Sequence, residues 1–198
     1  MRLFALLAAA LLPAFGQTMT ADPAKTFGLP NAPVRVDVFS DFECPACRNF
    51  HVEMLPSIER DYGVPGKVYI VSHEFPLNIP AHKFSREVAN YATAAARVGK
   101  YAQVADALFK NQATWSETGK FWEVIAAVLT PAEQKKVQAL AKDVSVLAEV
   151  QNDVQLGNQL QVNSTPSIFI TGHGGKRYPL PWPMTYNLFQ SLVANLGK

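Results

Sequence analysis

Hydrophobic residues cluster as in β-strands near both ends of the chain and recur with helical spacing between them. VRVDVFSDF (34–42) and KVYIVSHEF (67–75) are rich in β-branched and aromatic residues, which predicts two buried strands. Between them Phe50, Met54 and Ile58 recur at a spacing of four residues, which predicts an amphipathic helix. A strand, a helix and a second strand over about 40 residues indicate a βαβ unit with two parallel strands.

Residues 76–161 are predicted to form a block of helices, because apolar residues recur there at steps of three and four. The block is interrupted near Gly99. One of its later helices opens with Thr130, Pro131 and Glu133, which is a capping-box pattern with proline at the first helical position.

Strand patterns return after the helical block. PSIFITG (166–172) predicts a third strand, HGGKRYPLPW (173–182) contains a fourth, and TYNLFQSLVANLG (185–197) predicts a closing helix. We therefore predict an α/β core formed by residues 17–75 and 162–198. An α-helical domain, residues 76–161, is inserted between the second and third core strands.

The first residues of the chain do not read as globular sequence. In MRLFALLAAALLPAFGQ, Arg2 precedes an apolar stretch of about ten residues, and the small residues Ala14 and Gly16 follow. A bilayer-spanning helix needs about 20 apolar residues, so this stretch is too short for an anchor. The pattern predicts a cleaved signal peptide at residues 1–16 and a periplasmic or other extracytoplasmic location. A buried N-terminal helix is the alternative.

Composition and charge exclude some classes of partner. The chain has 198 residues, of which 48% are hydrophobic and 17% charged, and its formal net charge is +2. Because it contains no basic run and no aromatic–basic patch, nucleic acid is not expected as a partner.

The two cysteines of the chain, Cys44 and Cys47, stand two residues apart. A zinc site would need two further ligands, and the four histidines are scattered, although His51 leaves a weak metal site possible. A c-type haem site would need histidine where Arg48 stands. A structural disulfide closing so short a loop would remove little chain entropy. Because the chain is predicted to be exported and the pair stands at a strand-to-helix junction, the two cysteines are best explained as a redox-active pair.

The junction assigns a role to each cysteine. Cys44 precedes the first turn of the predicted helix, where free backbone N–H groups and the helix dipole favour an anion. We therefore expect a low thiol pKa and nucleophilic attack at Cys44. Cys47 lies inside the first turn, where it should be shielded and act as the resolving thiol. No bound cofactor is expected, because the two sulfurs carry the electrons.

Four segments in order resemble the DsbA-like thiol-disulfide oxidoreductase family, which has a thioredoxin-like fold with an inserted helical domain. They are FSDFECPACRNF, YIVSHEFPLN, VANYATAAARVGKY and LQVNSTPSIFITG. The resemblance implies that Pro166 is cis and faces the Cys44 sulfur. It also implies that Thr165 offers backbone hydrogen bonds to an extended client segment, and that Pro45 and Ala46 belong to the same binding surface.

The resemblance also implies the partners. These are reduced, unfolded client proteins and a membrane reoxidant of the DsbB or VKOR type. Separately, we expect the protein to be a monomer. We predict a dithiol oxidase that donates the Cys44–Cys47 disulfide. The alternatives are a disulfide reductase or isomerase of the same fold and, outside enzymes, a metal-binding or client-holding module.

The chain departs from the usual family pattern in two places. Ala46 stands where the family often has a thiolate-stabilising histidine, so the helix terminus should act nearly alone and the protein should be a milder oxidant. Val38 stands where the family often has a buried acid. Asp37 should point to the opposite face of its strand, and Glu43 should be solvated. His73 and Glu74 are expected to be polar edge residues at the end of the second strand.

Overall fold

The computed structural model describes residues 22–198, and the predicted signal peptide lies outside this range. The centre of the fold is one five-stranded sheet in the order β1-β3-β2-β4-β5. As the sequence predicts, β2 and β3 are parallel, whereas the other neighbouring pairs are antiparallel. The short first strand was not predicted. The strands are β1 (Thr26–Phe27), β2 (Val34–Ser40), β3 (Val68–Glu74), β4 (Ser167–Thr171) and β5 (Arg177–Leu180).

The helix that follows the cysteines is irregular. It begins as α1 (Pro45–Asn49), widens into a π-helical turn at Phe50–Met54, continues as α2 (Leu55–Ile58) and ends in a second π-helical turn at Glu59–Gly63. Pro56, in α2, has no N–H for the helical ladder, so an interruption near it was expected.

The predicted block of helices lies between β3 and β4 and consists of six helices. Gly99, with φ +71°, separates the first two of them. Thr130 and Glu133 form the predicted capping box. The helices are α3 (Ser85–Ala96), α4 (Tyr101–Lys110), α5 (Gln112–Thr118), α6 (Phe121–Ala126), α7 (Pro131–Leu140) and α8 (Val144–Gln159), and α9 (Tyr186–Leu196) closes the chain. In residues 22–198, none of the helices is long and apolar enough to cross a membrane.

Hydrophobic side chains form three buried clusters. One lies on the face of the sheet covered by α9 and the irregular helix, and it includes Val36, Ile170 and Phe189. A small aromatic cluster around Phe39 lies on the other face. The third is the interior of the helical block, and it also contains both cysteines. The cysteine pair therefore packs against the inserted helices rather than against the sheet.

The second face of β2 and β3 carries buried charges, because α8 covers it. His73 Nε2 lies 2.9 Å from Asp37 Oδ1, and His73 Nδ1 lies 2.8 Å from Asp153 Oδ1. Burial lowers the pKa of His73, but the hydrogen bonds to Asp153 and Asp37 outweigh it, so the pKa is raised. The expectation that His73 and Glu74 are polar edge residues was wrong, since they are 5% and 1% exposed.

Candidate active site

Cys44 and Cys47 stand at the start of α1. Cys44 is the N-cap residue, with extended backbone (φ −75°, ψ 119°), and Pro45 opens the helix. Proline is favoured at this position because its missing N–H would have no helical partner. Both cysteines are free thiols, Cys44 7% and Cys47 0% exposed. The predicted shielding of Cys47 is confirmed.

The segment before β4 faces the Cys44 sulfur. The Thr165–Pro166 peptide bond is cis, as the family resemblance implies. The Cys44 thiol donates a hydrogen bond of 3.2 Å to the Thr165 carbonyl oxygen. A helix start and a strand start 121 residues apart in sequence therefore meet at one sulfur atom.

The surroundings of Cys44 favour its thiolate, and its pKa is lowered to about 6. The first cause is a hydrogen bond from the Cys47 thiol, and partial burial works against it. Thr165 and the backbone N–H groups of Cys47 and Ala46 also lower the pKa. The helix terminus therefore contributes, but the expectation that it acts nearly alone was wrong.

Cys47 has the opposite environment. Burial raises its pKa well above the ordinary value, and the interaction with Cys44 raises it further. A backbone N–H, that of Asp41, donates to Cys47 Sγ at 3.5 Å. The arrangement gives one thiol of low pKa that is 7% exposed and one fully buried thiol of raised pKa beside it.

A glutamine from the inserted helices supports the cysteine loop. Gln112, at the start of α5, donates from Nε2 to the carbonyl oxygens of Phe42 at 2.7 Å and Cys44 at 3.0 Å. Its side chain fixes the backbone on both sides of Glu43. Sequence analysis did not identify Gln112, because a lone glutamine 68 residues away carries no local signal.

The acids near the pair are buried rather than solvated. Glu43 is 6% exposed, its Oε2 accepts a hydrogen bond from the Phe84 N–H at 2.7 Å, and the same oxygen lies 2.9 Å from Ser85 Oγ. The expectation that Glu43 is solvated was wrong, because the segment before α3 folds over the cysteine loop and covers it. Asp41, which the sequence analysis passed over, is 1% exposed in the same cluster.

Ala46 and Val38, the two residues that depart from the usual family pattern, both pack against hydrophobic side chains. Ala46 is half-buried and packs against the helical-block cluster, while Pro45 is exposed. Val38 is 5% exposed and lines a cavity of about 290 Å³ together with Phe42 and Phe50. Within residues 22–198, no group of three or more histidine, cysteine or acidic side chains has the geometry of a metal site.

Comparison with known proteins agrees with this architecture. A family model described as thioredoxin matches residues 20–194. The probable disulfide bond formation protein D of Bacillus cereus is 26% identical over 155 residues, covering 75% of this chain and 70% of that protein. The Na(+)/H(+) antiporter NhaA 1 of Mycolicibacterium gilvum is 28% identical over 172 residues, covering 86% of this chain and 26% of that protein. This chain thus spans about a quarter of the antiporter's length.

Two solved structures illustrate the shared architecture. A thioredoxin-like oxidoreductase from Silicibacter pomeroyi superposes with a TM-score of 0.70 at 26% identity, covering 88% of this chain and 92% of that one. Wolbachia pipientis alpha-DsbA1 superposes with a TM-score of 0.71 at 20% identity, covering 87% and 90% of the two chains, which shows a shared fold. This chain therefore belongs to the thioredoxin family and has the DsbA-like form of its fold, with the helical insertion that the sequence predicts.

Proposed function

We propose that the protein is an exported thiol-disulfide oxidoreductase that donates the Cys44–Cys47 disulfide to reduced, unfolded client proteins. The observation that carries the proposal is the contrast between the two thiols. Cys44 has a pKa of about 6 and lies beside the Thr165 carbonyl, whereas Cys47 is fully buried with a raised pKa. A low-pKa sulfur is a good leaving group, which favours passing the disulfide on.

The reaction balances without any other redox group. A client thiolate attacks Cys44 Sγ in the oxidised pair, which breaks the Cys44–Cys47 bond and releases Cys47 as a thiolate that takes up a proton. A second client thiolate then attacks the client sulfur of the mixed disulfide, and Cys44 leaves as a thiolate. The client loses two electrons and two protons, and the pair gains two electrons.

The client-binding surface proposed here is formed by Pro45, Ala46, Thr165 and Pro166. The Thr165 carbonyl already accepts a hydrogen bond from the Cys44 thiol, so a backbone N–H of an extended client could replace that donor. Pro45 is exposed beside it, which leaves the approach to the sulfur open.

Reoxidation requires an electron acceptor, which we propose is a quinone-linked membrane protein of the DsbB or VKOR type. The family resemblance supports this partner, and the signal-peptide pattern at residues 1–16 supports the extracytoplasmic location; we also propose that the protein is a monomer. The relative named as a disulfide bond formation protein supports the same process.

Two variants test the proposal with reduced, unfolded ribonuclease as the client. The oxidised protein should accelerate recovery of ribonuclease activity. Cys44→Ser should abolish the acceleration, whereas Cys47→Ser should accumulate a mixed disulfide visible on a non-reducing gel. Normal acceleration by Cys44→Ser would contradict the proposal.

The reduction potential decides between donation and the opposite direction. We expect a value between those of a strong disulfide donor, about −120 mV, and thioredoxin, about −270 mV, because Ala46 adds no charge beside the thiolate. A value at or below that of thioredoxin, measured by equilibration with glutathione, would select the reductase. Stoichiometric bound metal together with no turnover would select the metal-binding alternative.

A further inference from the structure

Asp41, three residues before Cys44, has its carboxylate surrounded by hydrogen-bond donors. It is 1% exposed. Oδ1 accepts the Glu43 N–H at 2.8 Å and the Ser85 hydroxyl, and Oδ2 accepts the Leu77 N–H at 2.9 Å. His82 Nδ1 lies 2.7 Å from Oδ2. Four donors on one buried carboxylate leave it little freedom to move.

The donors tie two separate segments together. The Glu43 N–H belongs to the cysteine loop, whereas the other three donors belong to residues 75–85, which are the segment after β3 and the first residue of α3. A second tie runs beside the first, because Glu43 Oε2 accepts the Phe84 N–H. Ser85 Oγ also lies 2.9 Å from Glu43 Oε2, but its one hydrogen is already donated to Asp41. The loop that carries Cys44 is thus clamped from one side by a segment that contains no redox group.

The clamped residue also touches the resolving thiol through its backbone. The Asp41 N–H donates to Cys47 Sγ at 3.5 Å. This hydrogen bond favours a charge on Cys47, whose burial opposes one. Of the groups acting on Cys47, the titratable one is Cys44, which carries no charge once it is in a mixed disulfide.

We propose that Asp41 is a positioning residue for Cys47, because its clamped side chain holds its own backbone N–H on the Cys47 sulfur. The hydrogen bond stabilises the Cys47 thiolate that forms when this thiol attacks a mixed disulfide at Cys44. Ser85 and His82 act through Asp41. The inference rests on the proposed function, since it concerns a step of that reaction.

The step to be measured is closure of the pair from a mixed disulfide between Cys44 and glutathione. The Cys47 thiolate attacks Cys44 Sγ, the Cys44–glutathione bond breaks, the Cys44–Cys47 bond forms and glutathione leaves as a thiolate. No net oxidation or reduction occurs. Release of glutathione is followed by quenched-flow mass spectrometry over a range of pH.

Asp41→Asn replaces an acceptor of four donors by an amide that accepts at one oxygen only. We expect the pH midpoint of closure to move to higher pH, and the rate at neutral pH to fall about fivefold, the effect of losing one hydrogen bond. Loss of the carboxylate charge alone would remove a repulsion from the Cys47 thiolate and move the midpoint to lower pH. The direction of the shift therefore distinguishes loss of the hydrogen bond from loss of the charge.

Three further variants and a control complete the experiment. Ser85→Ala and His82→Ala should shift the midpoint in the same direction by less, and His82→Gln, which keeps a donor, should stay closer to the wild type. Asp106→Asn is the control, because Asp106 pairs with Lys110 on the surface of α4 and should leave closure unchanged.

The outcomes separate the inference from the function. If the wild type closes and the Asp41→Asn midpoint is unchanged or falls, the positioning role is wrong. If the wild type itself does not close, the proposed function fails first. Should Asp41→Asn not fold, unchanged midpoints in both His82→Ala and Ser85→Ala would overturn the inference equally.

Discussion

Replacement of Cys47 should change the acidity of Cys44 even though Cys44 is untouched. In the folded protein the first cause of the low Cys44 pKa, about 6, is the hydrogen bond from the Cys47 thiol. Cys47→Ala removes that donor, whereas Cys47→Ser keeps a hydroxyl donor in the same place. The two variants therefore form a matched pair that differs in one hydrogen bond.

The size of the expected change follows from the value of that bond. A hydrogen bond to a charged group contributes about 1.5–3 kcal/mol, and 1.36 kcal/mol corresponds to one pKa unit, so the loss is worth about 1–2 units. In Cys47→Ala the Cys44 pKa should therefore rise from about 6 to about 7–8. In Cys47→Ser it should remain closer to the wild-type value.

Alkylation by iodoacetamide across acidic to alkaline buffers measures this pKa, with mass spectrometry to locate the label. Acidic buffers give the clearest contrast in alkylation rate between an activated thiol and an ordinary one. Near pH 5 a thiol of pKa about 6 is about 10% thiolate, roughly 300 times more than an ordinary thiol of pKa about 8.5. The lower nucleophilicity of a weakly basic thiolate removes about tenfold of this advantage, which leaves roughly 30-fold.

Two results would refute the reasoning. If Cys47→Ala alkylates with the wild-type midpoint, the helix terminus alone sets the Cys44 pKa and the Cys47 thiol contributes nothing. If the wild-type midpoint itself lies near 8.5, the ordinary value, Cys44 is an unactivated thiol and the donor role loses its physical basis.

Three further predictions concern stability. The folded Cys44 pKa of about 6 lies below its unfolded value, so ionisation of Cys44 stabilises the reduced protein fully above about pH 8.5, and this stabilisation is lost as pH falls through about 6. Denaturant titration should therefore show the free energy of unfolding of the reduced form rising relative to that of the oxidised form between these two pH values. Trp115→Ala should lower the free energy of unfolding by about 3–5 kcal/mol, because Trp115 is 0% exposed and its Nε1 donates to the Leu108 carbonyl; a urea titration that shows less than about 1 kcal/mol would contradict its place in the core. Lys25→Met should cost about 1.5–3 kcal/mol in the same assay, since Asp153 would lose its 2.7 Å hydrogen bond from Lys25 Nζ and keep its contact with His73; an unchanged midpoint would show that the pair does not matter for stability.

Much of the fold could be predicted because its elements have local signals. The apolar runs of β2 and β3, the glycine at position 99 and the capping box at Thr130 each act over a few residues, and each appears in the structure where the pattern placed it. The two-residue strand β1 was missed, because a strand that short has no periodicity to detect.

The errors about His73 and Glu43 share one physical cause, which is burial by elements distant in sequence. His73 reads as a polar residue at a strand end, but α8 covers it and supplies Asp153, 80 residues away, as its partner. Glu43 reads as solvated, but the segment before α3 covers it. Strand alternation indicates which face a side chain is on, but not whether a third layer covers that face.

The sequence alone determined the layout of the chain, and it predicted a redox pair with a separate role for each sulfur, since a helix start and a cysteine spacing are local properties. Only the tertiary structure decided what sets the Cys44 pKa, because the Cys47 thiol and Thr165 act through space. It also decided that Asp41 and Gln112 support the cysteine loop. Hydrogen bonds and electrostatic effects depend on distances between atoms, and folding brings those atoms together from positions that no local pattern connects.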